Sequence, residues 1–252
     1  MPSHSMSVFE QPLNEKTRLF LRLELLVRRF RYHLEKEDAC DNLAALMLLL
    51  DLSNLTSRID LKSDVIMEID RTAQSVRQII GDVGAQDETL TRLTDFSNIL
   101  YQLRGSLGQN LRSNNFFSQL RQRASLPGGL NNFDIPLLNY WLDHDPALRK
   151  ADLQRWGEGY MNTSDAVEFL LGLIRTYCAG EEHVAKEGFF QMTMPRSYQL
   201  LQVILPERST IYPEISAGKQ RFSLRFVEAD MVSERGRQVR DNITFKLKLC
   251  AF

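Results

Sequence analysis

The chain has few features that would suggest a secreted, membrane-spanning or metal-binding protein. Only 3 of its 252 residues are cysteines, and their unrelated contexts form neither a disulfide framework nor a metal knuckle. The longest apolar run, residues 43–50, is far shorter than the ~20 residues of a membrane-spanning helix. Residues 1–7 lack the basic and apolar regions of a signal peptide. We therefore expect a cytoplasmic protein with reduced cysteines.

Motifs of common enzyme classes are also missing. The sequence contains no phosphate-binding loop, dinucleotide-binding glycine motif or nucleophile-elbow motif. Its 4 histidines are scattered without the spacing of metal ligands. Asp143 and Asp145 flank His144, but a helix boundary beside Pro146 explains Asp145 better as a cap. These patterns predict no catalytic residue, no metal and no cofactor, and hence a protein that is not an enzyme.

Opposite charges nearly balance, yet they are unevenly distributed along the chain. The sequence has 31 basic and 32 acidic residues, and residues 184–252 hold 11 basic against 7 acidic ones. Two further basic islands lie at 16–31 and 96–133, the second without any acidic residue. Local fields of this kind attract acidic partners. Solvated helix faces, balanced in space by acidic helices, explain the islands equally well.

Apolar residues recur with a helical period from residue 12 to residue 180. In the segment 15–36, one broad arc of the helical wheel holds Leu19, Phe20, Leu23, Leu26, Val27, Phe30 and Leu34. Further helices are expected at 41–57, 60–80, 87–103 and around 116–120. Others are expected to begin at Pro136 and Pro146, and one more at a cap formed by Ser164 and Asp165. The pattern predicts an all-helical domain over residues 12–180.

After Gly180 the hydrophobic period changes from 3.6 to 2. Apolar and polar residues alternate over 221–226 and 243–250, which is typical of strands in an antiparallel sheet with one solvated face. The strand-like residues 8–11 need a partner, and we expect them to join this sheet. The fold class is therefore α+β. It consists of an all-helical domain, 12–180, and an antiparallel β-sheet domain formed by 1–11 and 181–252.

Two rows of basic side chains are candidates for binding a partner. On the helix 15–36, Arg18, Arg22 and Arg29 fall within about 40° of one another around Leu25. This arrangement suits a peptide that carries both carboxylates and apolar side chains. On the sheet, Arg221 and Arg225 occupy the outward face of one strand. The alternatives are a buried Leu25 with internally paired arginines, and a plain solvated strand face.

A nucleic-acid-binding protein could use the same basic helix, because phosphate contacts require only suitably placed Arg and Lys. Against this alternative stand the sequence pI of about 6.5 and the lack of aromatic residues interleaved with the basic rows.

Three blocks of sequence, in collinear order, make the chain recognisable. The first is Val8-Phe9-Glu10-Gln11-Pro12-Leu13-Asn14-Glu15-Lys16, followed by Arg18, Arg22 and Glu24. The second is Leu120-Arg121-Gln122-Arg123-Ala124-Ser125-Leu126-Pro127-Gly128-Gly129, with Phe133-Asp134-x-Pro136 behind it. The third runs from Tyr212-Pro213-Glu214-Ile215-Ser216 through Gly218-Lys219-x-Arg221-Phe222 to Arg225-Phe226. With these blocks the chain resembles the ZapD family of bacterial cell division proteins, which are associated with the FtsZ ring.

The resemblance implies a non-enzymatic homodimer with a helical and a β-rich domain. Such a protein would bind the C-terminal tail of FtsZ and bundle FtsZ protofilaments at the mid-cell division ring. It would use no cofactor, and neither a membrane nor a nucleic acid is expected as a partner. The basic residues within the blocks are then the predicted contacts to the tail: Arg22, Arg121, Arg123, Lys219, Arg221 and Arg225.

Overall fold

A computed structural model describes residues 6–127, 129–131, 133–206, 209–231 and 236–251. Gly128, in the second of the three sequence blocks, lies outside the described residues, as do residues 1–5 of the predicted β-domain. The chain divides into two compact units. One unit comprises Leu19–Leu171, and the other combines Met1–Arg18 with Gly172–Phe252.

Eight helices occur in the described part of the chain. They are α1 (Glu15–Leu34), α2 (Ala39–Leu55), α3 (Leu61–Ile79), α4 (Val83–Gln102), α5 (Gln109–Arg112), α6 (Asn115–Ala124), α7 (Pro136–Leu142) and α8 (Pro146–Thr176). Several begin where a side chain accepts a backbone N–H of the first turn. Asp38, Asp60, Asp82 and Asn114 cap α2, α3, α4 and α6 in this way.

The helical unit buries the apolar arc that the sequence predicted on α1. Phe20, Leu23, Val27, Phe30 and Leu34 are all buried. An aromatic cluster of Phe116, Phe117, Trp141 and Trp156 joins α6, α7 and α8, with ring centroids 5.0–6.0 Å apart. These apolar contacts provide the main stabilisation of the unit.

A buried arginine connects three segments of the helical unit. The Arg149 guanidinium donates to Asn42 Oδ1 at 2.5 Å, to the Leu142 carbonyl at 2.7 Å and to the Glu37 carbonyl at 2.8 Å. Backbone carbonyls therefore satisfy a charge that would otherwise be costly to bury. Arg149 is accordingly part of the scaffold and does not belong to a binding surface.

The structure corrects the predicted division of the last helical segment. Residues 146–176 form one helix of 31 residues, and no new helix begins at Ser164. The Ser164 hydroxyl donates to Glu168 Oε1 at 3.0 Å, and Thr163 Oγ1 donates to the Gly159 carbonyl at 2.7 Å. Both side chains are fully buried. A hydroxyl that bonds within a continuous helix has the same sequence signature as a cap.

Two glycines of α8 provide a matched test of the packing around α1. A Cβ added at Gly157 would lie 2.5 Å from Phe30 Cε1, whereas one added at Gly172 meets no atom within 4 Å. We expect Gly157→Ala to lower the free energy of unfolding by about 1–2 kcal/mol, because overpacking outweighs the gain in helix propensity. Gly172→Ala should raise it by up to about 1 kcal/mol. Urea denaturation followed by circular dichroism measures both changes. Equal stabilisation by the two variants would show that Phe30 moves aside freely.

Seven strands in the described residues build the second unit. They are β1 (Met6–Pro12), β2 (Gly180–Ala185), β3 (Phe189–Thr193), β4 (Leu200–Pro206), β5 (Ile211–Ala217), β6 (Arg221–Glu228) and β7 (Ile243–Cys250). They form two antiparallel sheets with the orders β1-β4-β7-β2 and β3-β6-β5. The α+β fold class is therefore confirmed, although the single sheet expected from the alternation is in fact two.

The N-terminal strand joins the C-terminal strands, as the sequence predicted. β1 runs antiparallel to β4, with Val8 opposite Ile204. The Arg175 guanidinium holds the Glu10 carboxylate through two hydrogen bonds of 2.8 Å, and Gln202 Nε2 donates to the same carboxylate at 2.7 Å. These charge-assisted contacts fix β1 beside β4 and beside the last turn of α8.

The inner faces of the two sheets form one apolar core. It includes Leu201 and Val203 of β4, Phe245 and Leu247 of β7, and three alternate residues of β6: Phe222, Leu224 and Phe226. Because alternate strand residues point to opposite faces, burial of these three positions on β6 directs the intervening residues outward. The core thereby places Arg221 and Arg225 on the surface.

Candidate functional site: basic surfaces of the sheet and of the helices

The outward face of β6 presents the basic row that the sequence predicted. Arg221 and Arg225 are exposed, and Lys219 lies exposed in the turn that leads into β6. We call Lys219, Arg221 and Arg225 the sheet surface. The structure places Arg221 and Arg225 on one strand, with Lys219 close to them in sequence in the preceding turn.

Strand register identifies the neighbours of the sheet surface. Arg225 lies between Phe189 of β3 and Glu214 of β5, whereas Arg221 lies opposite Thr193 of β3. Phe189 is 46% exposed. An apolar ring therefore lies beside the cationic row, on the outward face of the same sheet.

The cations of the sheet surface differ in their availability. Arg225 pairs with Glu214 across the sheet, with Nη2–Oε2 and Nε–Oε2 distances of 2.6 and 2.8 Å. Within the described part of the chain, Arg221 and Lys219 have no acidic partner. An incoming carboxylate would therefore bind Arg221 or Lys219 without first breaking an ion pair.

Helix α1 carries a second exposed cluster within the helical unit. Arg22 and Arg29 are exposed and, among the described residues, lack an acidic partner, while Leu25 between them is 43% exposed. Other basic residues of α1 are engaged: Arg28 pairs with Glu24 at 3.6 Å, and Arg31 pairs with Asp165 and Glu168. The exposure of Leu25 argues against the alternative in which this leucine is buried.

The two predicted arginines of α6 have different environments. Arg121 donates from Nη1 to the Leu111 carbonyl and from Nη2 to the Arg112 carbonyl, both at 3.1 Å, and so satisfies carbonyls at the end of α5. Arg123 is exposed and makes no side-chain hydrogen bond to the rest of the described structure. We therefore infer a structural role for Arg121, while Arg123 remains free to meet a partner.

A depression of about 460 Å³ lies beside Arg121 in the helical unit. Met47, Leu50 and Asp51 of α2 line it, together with Ala124 and Ser125 at the end of α6. Partial burial raises the pKa of the Asp51 carboxyl above its ordinary value. The depression has room for an apolar side chain, and both signs of charge border it.

The predicted residues thus fall into separate groups. Arg221 and Arg225 on β6 and Lys219 in the turn before it belong to the β-sheet unit, whereas Arg22 on α1 and Arg121 and Arg123 on α6 belong to the helical unit. Sequence reasoning missed Glu214 and Phe189 as neighbours of Arg225. Only the strand register reveals these neighbours, because β3 is distant from β6 along the chain and the pairing of β5 with β6 depends on their turn.

Two features are absent from the described part of the chain. No group of three or more His, Cys, Asp or Glu side chains there is arranged to hold a metal ion. No helix in the same residues combines the length and the apolarity needed to cross a membrane.

Comparison with known proteins gives the family. The family model ZapD, described as "Cell division protein", matches residues 21–225. The chain belongs to the ZapD family. All six predicted contact residues fall within the matched region, which ends at Arg225.

Curated members of the ZapD family are similar over nearly their entire lengths. A cell division protein ZapD of Chromobacterium violaceum is 37% identical over 252 residues, which cover 98% of this chain and 100% of the relative. Those of Azoarcus sp. and Aromatoleum aromaticum are 33% and 32% identical. The aligned regions cover 97% and 96% of this chain, and 99% and 96% of the relatives. Membership of the ZapD family assigns the chain a role in cell division.

Proposed function

We propose that this protein binds the C-terminal tail of FtsZ and cross-links FtsZ protofilaments, thereby stabilising the division ring at mid-cell. Membership of the ZapD family supports a role in division. The observation that carries the tail-binding step is Arg221. Its guanidinium is exposed on the outward face of β6 and is unpaired within the described structure. The proposed role is one of binding, without catalysis or a cofactor.

The chemistry of the sheet surface fits an acidic peptide with apolar side chains. A guanidinium can bind a carboxylate through two parallel hydrogen bonds, a geometry that lysine cannot reproduce. Phe189, in the same cross-strand row as Arg225, offers apolar contact. Exposed ion pairs contribute only about 0.2–1 kcal/mol each, so useful affinity requires several contacts together. Arg22 and Arg123 of the helical unit are further cations available to the same class of partner.

Salt dependence tests the electrostatic part of the proposal. Exposed ion pairs are screened as the Debye length shortens, so we expect the dissociation constant for an FtsZ tail peptide to rise about three- to tenfold between 0.05 and 0.3 M salt. Fluorescence anisotropy of a labelled peptide measures this change. Duplex DNA serves as the comparison ligand in the same buffers. Salt-independent peptide binding, or preferential binding of the DNA, would contradict the proposal.

Cross-linking also requires at least two tail sites per particle. The sequence contains no internal repeat that could supply two equivalent sites. A twofold-symmetric homodimer is the commonest way to duplicate a site. We expect light scattering to give about twice the 29.1 kDa chain mass at micromolar concentration. A monomeric mass under conditions in which FtsZ is still bundled would rule out the dimer.

A further inference from the structure

Two cysteines from distant parts of the chain meet in the β-sheet unit. Cys250 is the last residue of β7, and Cys178 lies between α8 and β2. β2 and β7 are antiparallel, with Gly180 opposite Lys248. Cys178 lies two residues before β2, and this register extended by two residues would set it opposite Cys250. Side chains directly opposite each other on adjacent antiparallel strands have Cβ atoms about 4.5–5.5 Å apart, so a small approach would bring them to the roughly 3.5–4.5 Å of a disulfide.

The two thiols are in contact, and their surroundings differ. The Cys250 thiol acts as a hydrogen-bond donor toward the Cys178 sulfur, and the Cys178 thiol in turn donates to the Ala179 carbonyl oxygen at 3.6 Å. Cys250 is fully buried, whereas Cys178 is half-buried and borders a cavity of about 490 Å³ that is partly open to solvent. Cys178 is therefore accessible to a small reagent, whereas its neighbour Cys250 is shielded from solvent.

Electrostatics favour Cys178 as the reactive member of the pair. The hydrogen bond from Cys250 lowers the pKa of the Cys178 thiol, and the positive charges of Lys248 and Arg196 act in the same direction. The same hydrogen bond, together with burial, raises the pKa of Cys250. Thiolate is the nucleophilic form of cysteine, so Cys178 is expected to react first.

We propose that Cys178 and Cys250 form a redox-sensitive dithiol, which a hydroperoxide converts reversibly into a disulfide. The Cys178 thiolate attacks one peroxide oxygen, the O–O bond breaks, and Cys178 becomes a sulfenic acid while the second oxygen leaves and is protonated to water. The sulfur of Cys250 then attacks the Cys178 sulfur and displaces the hydroxyl group, which leaves as a second water. In total, two thiols lose two electrons and two protons, and one hydrogen peroxide becomes two water molecules.

The third cysteine provides an internal control. Cys40 is exposed at the start of α2, where its backbone N–H donates to Asp38 Oδ1. It belongs to the other compact unit, Leu19–Leu171, whose sequence contains no second cysteine with which it could form a disulfide. Exposure alone would make Cys40 the first thiol to react, whereas the proposed dithiol makes Cys178 and Cys250 the first.

Thiol counting with mass spectrometry tests the proposal on the full-length reduced protein. A few equivalents of hydrogen peroxide should reduce the free thiols from 3 to 1, with Cys40 remaining. The intact mass should fall by about 2 Da, as expected for loss of two hydrogens. Peptide mapping should find residues 178 and 250 linked, and dithiothreitol should restore both thiols. Closing this long loop should also raise the melting temperature by about 5 °C or more.

Two variants separate the steps. In Cys250→Ser, Cys178 should accumulate as a sulfenic acid that dimedone traps. In Cys178→Ser, peroxide should form no intramolecular disulfide. Oxidation of Cys40 before the pair, or loss of all three thiols without a 178–250 linkage, would overturn the proposal. The wild-type measurement decides this question even if a variant folds poorly.

Discussion

Reversal of both Arg221 and Arg225 to glutamate is expected to weaken binding of the FtsZ tail by at least about tenfold, or 1.4 kcal/mol. The double variant removes two guanidiniums from one strand face and replaces them with charges that repel a carboxylate. It also places a new carboxylate opposite Glu214, the present partner of Arg225. Both positions are exposed, so the fold should persist with a loss of only about 1 kcal/mol.

Single variants distinguish the two arginines. Arg221→Glu removes a cation that has no acidic partner among the described residues, so most of the loss in affinity should come from this change. Arg225→Glu breaks the pair with Glu214 and should have the larger effect on stability. Anisotropy with a labelled tail peptide gives the affinities, and urea denaturation gives the stabilities.

A matched control variant has the same net charge as the Arg221 and Arg225 double variant. Arg58 and Arg77 are exposed in the helical unit, so Arg58→Glu combined with Arg77→Glu changes the net charge by the same amount. This control should retain tail binding. If the Arg221 and Arg225 double variant keeps wild-type circular dichroism and wild-type binding, the sheet surface is only a solvated face. Binding would then have to involve Arg18, Arg22 and Arg29.

Gly188→Ala is expected to cause the largest loss of stability, about 3 kcal/mol or more. Glu187 and Gly188 form the turn between β2 and β3, with φ values of 49° and 69°. Two positive φ values are typical of the tight hairpin turn that favours glycine at its second position. A Cβ at Gly188 would also collide with the backbone carbonyl of Val239, which cannot turn aside as a flexible side chain could.

Backbone hydrogen bonds show why this turn cannot shift easily. Gly188 N–H donates to the Asp241 carbonyl at 3.0 Å, and Phe226 N–H donates to the Gly188 carbonyl at 2.8 Å. The left-handed backbone conformation adds about 1–2 kcal/mol to the destabilisation when the residue carries a side chain. Urea denaturation measures the total loss in the free energy of unfolding. Amide hydrogen exchange should show weakened protection in β3 and β6.

Gly218→Ala is the control for this prediction. Gly218 lies between β5 and β6 in the same unit, and an added Cβ there would be 3.7 Å from the Arg221 carbonyl oxygen, an ordinary contact. Gly218→Ala should change the free energy of unfolding by no more than about 0.5 kcal/mol. Equal effects of the two substitutions would show that the β2–β3 turn relaxes, and would contradict the role assigned to Gly188.

Hydrophobic periodicity predicted the elements that bury one clear face. Helix α1 and strand β6 are amphipathic, so their buried residues and the outward direction of Arg221 and Arg225 could be deduced without a structure. β5 was missed because it contains Pro213, and proline is unusual in a strand, yet β5 is an edge strand, where proline is tolerated. β2 was missed because Gly180–Ala185 has no alternation of apolar and polar residues.

The partners of each element could not be deduced in the same way. Alternation shows which face of a strand is buried but not which sheet it joins, so two sheets were predicted as one. The same limit applies to the candidate site. The pairing of Arg225 with Glu214 depends on strand register, and the bonds of Arg121 to two carbonyls depend on the turn between α5 and α6. A sequence identifies a basic residue without showing what neutralises it.

Co-sedimentation with polymerised FtsZ tests the central claim most directly. The protein should pellet with full-length FtsZ polymers and bundle them, and should stay in the supernatant with FtsZ that lacks its C-terminal tail. The Arg58 and Arg77 double variant should behave as the wild type, and the Arg221 and Arg225 double variant should pellet much less. Equal pelleting with tailless FtsZ, or no pelleting with either form, would contradict tail-dependent cross-linking.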